Sequence, residues 1–185
     1  MLCALLVLVT LQNLVAALVI SVPNGETWGN WGAMEVCDGN TVARGFQLKV
    51  EKRQGPLDDS ALNGIAIHCT KDSSREVVKI IRSTVGDFGS WGPVFWCNSR
   101  AFLKNFMLRV ESVHTKDSTA ANNIEFTCSD GSIIEGNGQS WGTYGVKSPD
   151  CEKGIRGIQT RVQEKQGALR DDVALTDVKF LCRNE

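Results

Sequence analysis

An excess of charge of either sign is missing. Lys and Arg number 20 against 21 Asp and Glu, a formal net charge of −1 with a pI near 6.1. A nucleic-acid binder needs a basic footprint that this balance does not supply, so a nucleic-acid partner is excluded. Histidine is scarce: His68 and His114 are the only two, and no cysteines stand at C-x2-C spacing, so neither a metal nor a cofactor is expected. Gly136-x-Gly138 is followed by Trp141 rather than by a helical pattern, which removes a dinucleotide site. No N-x-Ser/Thr triplet occurs, and no N-linked glycan is expected. What remains is a chain of mixed charge with 42% hydrophobic residues, enough to fold around a core.

No charged residue precedes Glu26, and Leu2 to Val9 is continuously apolar. Small residues at Val15-Ala16-Ala17 suit a signal peptidase, so residues 1–17 read as a leader cut after about Ala17. An uncleaved anchor is the alternative, but Gln12 and Asn13 interrupt the apolar run. The mature chain, residues 18–185, is then secreted, free of the membrane and expected to be a monomer. Cys3 leaves with the leader. The six remaining cysteines are an even set, as in a disulfide framework.

Three repeats organise this mature chain, at about 18–76, 77–131 and 132–185. Aligned on Trp31-Gly32, Trp91-Gly92 and Trp141-Gly142, each continues to a cysteine, an alternating strand, an Asp-rich turn and a second strand ending in cysteine. The first strands carry Phe46-x-Leu48-x-Val50, Phe106-x-Leu108-x-Val110 and Ile158-x-Thr160-x-Val162. The closing strands carry Ile65-x-Ile67-x-Cys69, Ile124-x-Phe126-x-Cys128 and Val178-x-Phe180-x-Cys182. Equivalent units close equivalent links, which favours Cys37–Cys69, Cys97–Cys128 and Cys151–Cys182; linkage between neighbouring units is the rival pairing.

Period-2 alternation with turn residues every few positions indicates an all-β fold. Val77–Ile81, Ile133-Ile134 and Val19–Val22 add a further strand at the head of each unit. Each unit then supplies about four strands, enough for one antiparallel sheet with a single apolar face. Three such sheets bury those faces against one another about a pseudo-threefold axis, a triangular prism rather than a propeller.

The Trp-Gly signatures, Asp58-Asp59-Ser60-Ala61-Leu62-Asn63-Gly64, Ala120-Ala121-Asn122-Asn123 and the cysteine pattern resemble the vitelline membrane outer layer protein 1 family. The resemblance spans about residues 19–185. It implies a β-prism of three antiparallel Greek-key sheets, secretion, and association with egg-coat or other extracellular glycoproteins, mucin-like ones among them. It also implies, as a competing activity, lysozyme-like transfer or hydrolysis of N-acetylglucosamine oligosaccharides.

Two residue classes are candidates for function. Trp28, Trp31, Trp91, Trp96 and Trp141 can stack on sugar rings; the repetition of Trp31, Trp91 and Trp141 instead favours packing in the core, while Trp28 and Trp96 lack counterparts. Asp58, Asp59, Asp117, Asp171 and Asp172 fall at matched places and could pair as acid and base or nucleophile on a glycosidic bond. Turn formation is the plainer role for these aspartates. His68 is expected on the solvent side of its strand. The balance favours a structural or carbohydrate-binding protein over an enzyme.

Overall fold

A computed structural model describes residues 17–52, 62–71, 74–111, 120–164 and 175–184. The strands are β1 (Val19–Ile20), β2 (Asn30–Trp31), β3 (Glu35–Val36), β4 (Val42–Val50), β5 (Leu62–Thr70), β6 (Val77–Ile81) and β7 (Ser90–Trp96). They continue as β8 (Leu103–Val110), β9 (Ala121–Cys128), β10 (Ile133–Glu135), β11 (Thr143–Tyr144), β12 (Ile155–Val162) and β13 (Leu175–Cys182). No helix occurs among the described residues.

The strands form three antiparallel sheets. Sheet A has the order β1-β13-β12-β2, with β3 also on β12; sheet B is β6-β5-β4-β7; sheet C is β10-β9-β8-β11. In B and C a fourth strand returns beside the first of three consecutive ones, which is the Greek-key order. Sheet A has the same order with β12 and β13 leading and the N-terminal strands following. The molecule is a β-prism of three such sheets.

The sheets do not coincide with the repeats. Val77–Ile81 was expected to open the second unit, yet it pairs with β5 through Ile67↔Ile81 and His68↔Ile80. Trp91 likewise lies on sheet B, opposite Lys49. Each sheet therefore takes its two long strands from one repeat and its two outer strands from the next, and the first repeat's leading strands close sheet A.

Alternation puts one side of every long strand in the core. Phe46 faces Ile67, Phe106 faces Phe126, and Ile158 faces Phe180 across their sheets. All six are fully buried in one continuous apolar cluster. Aromatic rings from three sheets meet there: Phe126 lies 4.8 Å from Phe46, 6.2 Å from Phe106 and 5.3 Å from Phe180. These are ordinary spacings for tilted and edge-on aromatic pairs. Register shifts recur at matched places in β4, β8 and β12, between residues 43/45, 103/105 and 155/157. Such bulges sharpen twist, and repeating one in each sheet keeps the prism symmetric.

The disulfides are Cys37–Cys69, Cys97–Cys128 and Cys151–Cys182, with Cα separations of 5.6, 5.9 and 5.1 Å. Each pair lies within one repeat in sequence but joins two sheets in space. The amides of Cys37, Cys97 and Cys151 donate to Arg156, Arg44 and Lys104, on sheets A, B and C in turn. Their partners Cys69, Cys128 and Cys182 lie in β5, β9 and β13. The three bonds thus link A to B, B to C and C to A.

Candidate functional site

Each sheet carries an aromatic-glycine segment on its outer strand. Gly29, Gly89 and Gly142 have φ of 84°, 78° and 72°, and a Cβ there would collide with the backbone of Val162, Val50 and Val110 respectively. Only glycine fits both the left-handed backbone and the close approach. These three glycines set the true alignment. Trp31 sits opposite Arg161, Trp91 opposite Lys49, and Tyr144 opposite Arg109. The equivalent segments are Trp28-Gly29-Asn30-Trp31-Gly32, Phe88-Gly89-Ser90-Trp91-Gly92 and Trp141-Gly142-Thr143-Tyr144-Gly145.

This corrects the expected register by three residues. Trp141 matches Trp28 and Phe88, so Trp28 does have counterparts, and Tyr144 is the third-unit equivalent of Trp31 and Trp91. Nor do the tryptophans fill the core. Trp31, Trp91, Trp96 and Tyr144 lie on outward faces, half-buried. Cations lie over their rings: Arg82 is 5.0 Å from the Trp91 ring, Arg109 4.5 Å from Tyr144, and Lys179 4.1 Å from Trp31.

Sheet B offers a groove of about 820 Å³ at the end of β4 and the start of β7. Trp91 forms one wall, with Glu51, Lys52, Ser90, Asn137 and Gln139 around it. Gln47 Nε2 donates to Gly92 O at 2.6 Å and ties β4 to the Trp91 strand. Across the seam, Gln139 Nε2 donates to Glu51 O at 3.0 Å, and its backbone N donates to Asn122 O at 2.9 Å. A side chain at Gly92 would collide with the Asn137 amide, so glycine there lets the two walls approach closely. An apolar ring flanked by amides, a hydroxyl and one charge of each sign offers a surface for stacking an apolar face and polar groups for hydrogen-bonding hydroxyls.

The matching family model is described as vitelline membrane outer layer protein I and covers residues 18–185. The chain belongs to that family. Similar relatives are the vitelline membrane outer layer protein 1 homolog of Mus musculus, 46% identical over 168 residues (90% of this chain, 83% of the relative), and that of Homo sapiens, 45% identical over 166 residues (89% and 82%). Among solved structures, Calsepa lectin in complex with a biantennary N-glycan aligns at a TM-score of 0.59 and 15% identity, covering 90% of this chain and 96% of that one. So distant a likeness establishes the β-prism fold alone. Family membership together with three disulfides marks an extracellular protein.

Five aspartates were expected to do chemistry. Asp58, Asp59, Asp117, Asp171 and Asp172 lie outside the described residues. Glu125 and Glu135, not singled out in the sequence, stand directly opposite on β9 and β10. Burial first, and then the Glu135 charge, push the Glu125 carboxyl above its ordinary range. Glu135 is held by Tyr144, whose hydroxyl donates at 2.8 Å, and by Asn123 Nδ2 at 3.2 Å. This pair lies on the outward face of sheet C. Gly138-Gln139-Ser140-Trp141-Gly142 has the spacing of a serine-hydrolase elbow. That elbow needs a strand-to-helix turn, whereas Ser140 sits between β10 and β11.

His68 also departs from expectation. It is on the outward face of β5 but only 5% exposed, edge-on to Trp96 at 5.4 Å and opposite Ile80. Neither ring nitrogen has a hydrogen-bond partner. Burial, and then the Arg82 charge, lower its pKa below 6.5. The unfolded chain therefore takes up this proton before the folded one. Its contribution to stability is complete above the ordinary histidine range, is lost as pH falls through 6.5 toward the folded value, and is constant below that. Denaturant midpoints measured from pH 7.5 to pH 4.5 are expected to fall more steeply in the wild type than in His68→Phe. Parallel curves would show that His68 is not responsible.

Proposed function

We propose that the protein is a secreted, non-catalytic component of an extracellular glycoprotein layer and holds glycans, mucin-type ones among them, through the Trp91 groove. The groove itself carries this reading: a half-buried indole flanked by Glu51, Ser90, Asn137 and Gln139. The fold is compatible with the role, since the lectin it resembles was solved with a biantennary N-glycan. The family match begins at residue 18 and β1 at Val19, which supports a leader ending near Ala17. Catalysis on N-acetylglucosamine oligosaccharides is the competing reading, and the five aspartates that motivated it lie outside the described residues.

Immobilised mucin-type glycoprotein and chitotetraose are the probes. Truncating a central aromatic at a binding surface typically weakens binding about tenfold or more, and Trp91→Ala is expected to do so. Mass spectrometry of the chitotetraose incubation should show only the tetramer. Unchanged binding by a folded Trp91→Ala variant would remove the groove from consideration. Longer or shorter oligosaccharides would restore the enzyme reading.

A further inference from the structure

The three faces share a frame but not a chemistry. Lys179 faces Gln159 on sheet A, Ala66 faces Gln47 on sheet B, and Glu125 faces Met107 on sheet C. By register these are one position repeated three times, each followed by a core residue: Phe180, Ile67 or Phe126. An architectural requirement would select one residue type at that position. Lysine, alanine and glutamate in turn show that the frame does not fix this position: Ala66 is fully covered on sheet B, whereas Lys179 and Glu125 are only half-buried on theirs.

On sheet A the result is a pair of cations on one indole. Lys179 Nζ lies 4.1 Å from the Trp31 ring and the Arg161 guanidinium 5.8 Å from it. Neither has a carboxylate within ion-pairing distance among the described residues. Asp177, in register with Arg161, is the acidic group facing them; one of its oxygens accepts from the Val178 amide at 2.7 Å, and its charge interacts with both cations without a direct ion pair. Arg161 is anchored to carbonyls, its Nε donating to Gly29 O at 3.0 Å and its Nη1 to Glu26 O at 3.5 Å, as its register equivalents are anchored on the other faces; Lys179 is the cation particular to sheet A. Lys49 donates to the carbonyls of Gly86 and Asp87 at 2.7 and 2.9 Å, and Arg109 lies 3.8 Å from Glu135.

We propose that the outward face of sheet A is a second binding site, for the anionic groups of an acidic glycan. Lys179 pairs with a sulfate ester or sugar carboxylate, the remaining N–H groups of the anchored Arg161 guanidinium add to the positive field, and the edge of Trp31 supports the adjoining ring. The site is distinct from the Trp91 groove, which lies on another face and is lined by uncharged groups and one charge of each sign. A prism with one seat for neutral sugar and another for acidic sugar can join two chains, or two parts of one chain.

The test uses the oxidised mature protein on immobilised chondroitin sulfate, hyaluronan and chitotetraose. The wild type is expected to bind the acidic polymers with an affinity that falls as salt is raised, because partly exposed charge pairs are screened. Lys179→Gln should weaken that binding about tenfold, the scale of one charge-assisted contact, and Lys179→Arg should restore it. Lys179→Gln should leave chitotetraose binding unchanged, and Trp91→Ala should do the reverse. Preference for chondroitin sulfate over hyaluronan identifies sulfate as the partner, and equal binding identifies the carboxylate. No retention of either acidic polymer by the wild type, or equal retention by Lys179→Gln, overturns the proposal whatever happens at Trp91.

Discussion

Replacing Cys97 and Cys128 together by alanine is expected to lower stability by about 2–5 kcal/mol, with each of the other two pairs costing a similar amount. The separations of 32, 31 and 31 residues make the unfolded-state restriction nearly equal for all three bonds. In the chain-entropy model a closed segment of this length contributes roughly 3–4 kcal/mol. The native environments are also alike: every sulfur-bearing residue of the three pairs is at most 4% exposed, and each bond joins successive sheets. Equal effects are therefore expected from both states. Urea unfolding of the three double variants provides the check. If one pair proved worth less than about 1 kcal/mol, the premise that the three links are equivalent would fail.

Phe126→Ala should be about as damaging, costing about 3–5 kcal/mol. Its ring touches Phe46 from sheet B and Phe180 from sheet A as well as Phe106 from its own sheet. Removing it opens a cavity where three rigid sheets meet, and sheets tied at their ends have little freedom to collapse into it. Phe180→Ala removes a neighbour of the same cavity, at 5.3 Å. The double variant should then lose less than the sum of the two, because the second truncation enlarges a void that already exists. Equilibrium unfolding of both singles and the double would measure this. Strict additivity would mean that the rings do not act as one cluster.

Period-2 alternation made the long strands legible, and the equal cysteine spacings favoured the correct pairing. Both signals are local or repeated. Which strands would pair was not legible in the same way. Val77–Ile81 reads as a strand wherever it goes, and nothing in its five residues says that it turns back onto β5 rather than forward into the next sheet. The tryptophan register failed for a different reason. Every unit contains two aromatic-glycine steps three residues apart, and one of the second-step aromatics is Tyr144. Matching Trp to Trp selected the wrong step in the third unit, where the five-residue pattern of aromatic, glycine, any residue, aromatic, glycine would have fixed it. Placement of Trp91 on the outer face was hidden by a register shift, since β4 is irregular between Gln47 and Lys49 opposite β7. His68 was assigned to the right face. Its burial under Trp96 depends on the edge of a strand distant in sequence, which alternation cannot report.

The closure of sheet A by strands from both ends of the chain has a consequence during synthesis. Val19 is the partner of Leu181, and Cys182 donates to Leu18 O at 2.8 Å. A nascent chain can complete sheet B and then sheet C from residues already made. β1, β2 and β3 must wait, on the order of ten seconds at usual elongation rates, until β12 and β13 emerge. Their unpaired edges are exposed for that interval. Because Val19 and Leu181 lie side by side, joining the chain close to them and opening it between Cys37 and Val42 would give a circular permutant in which every sheet forms from consecutive residues.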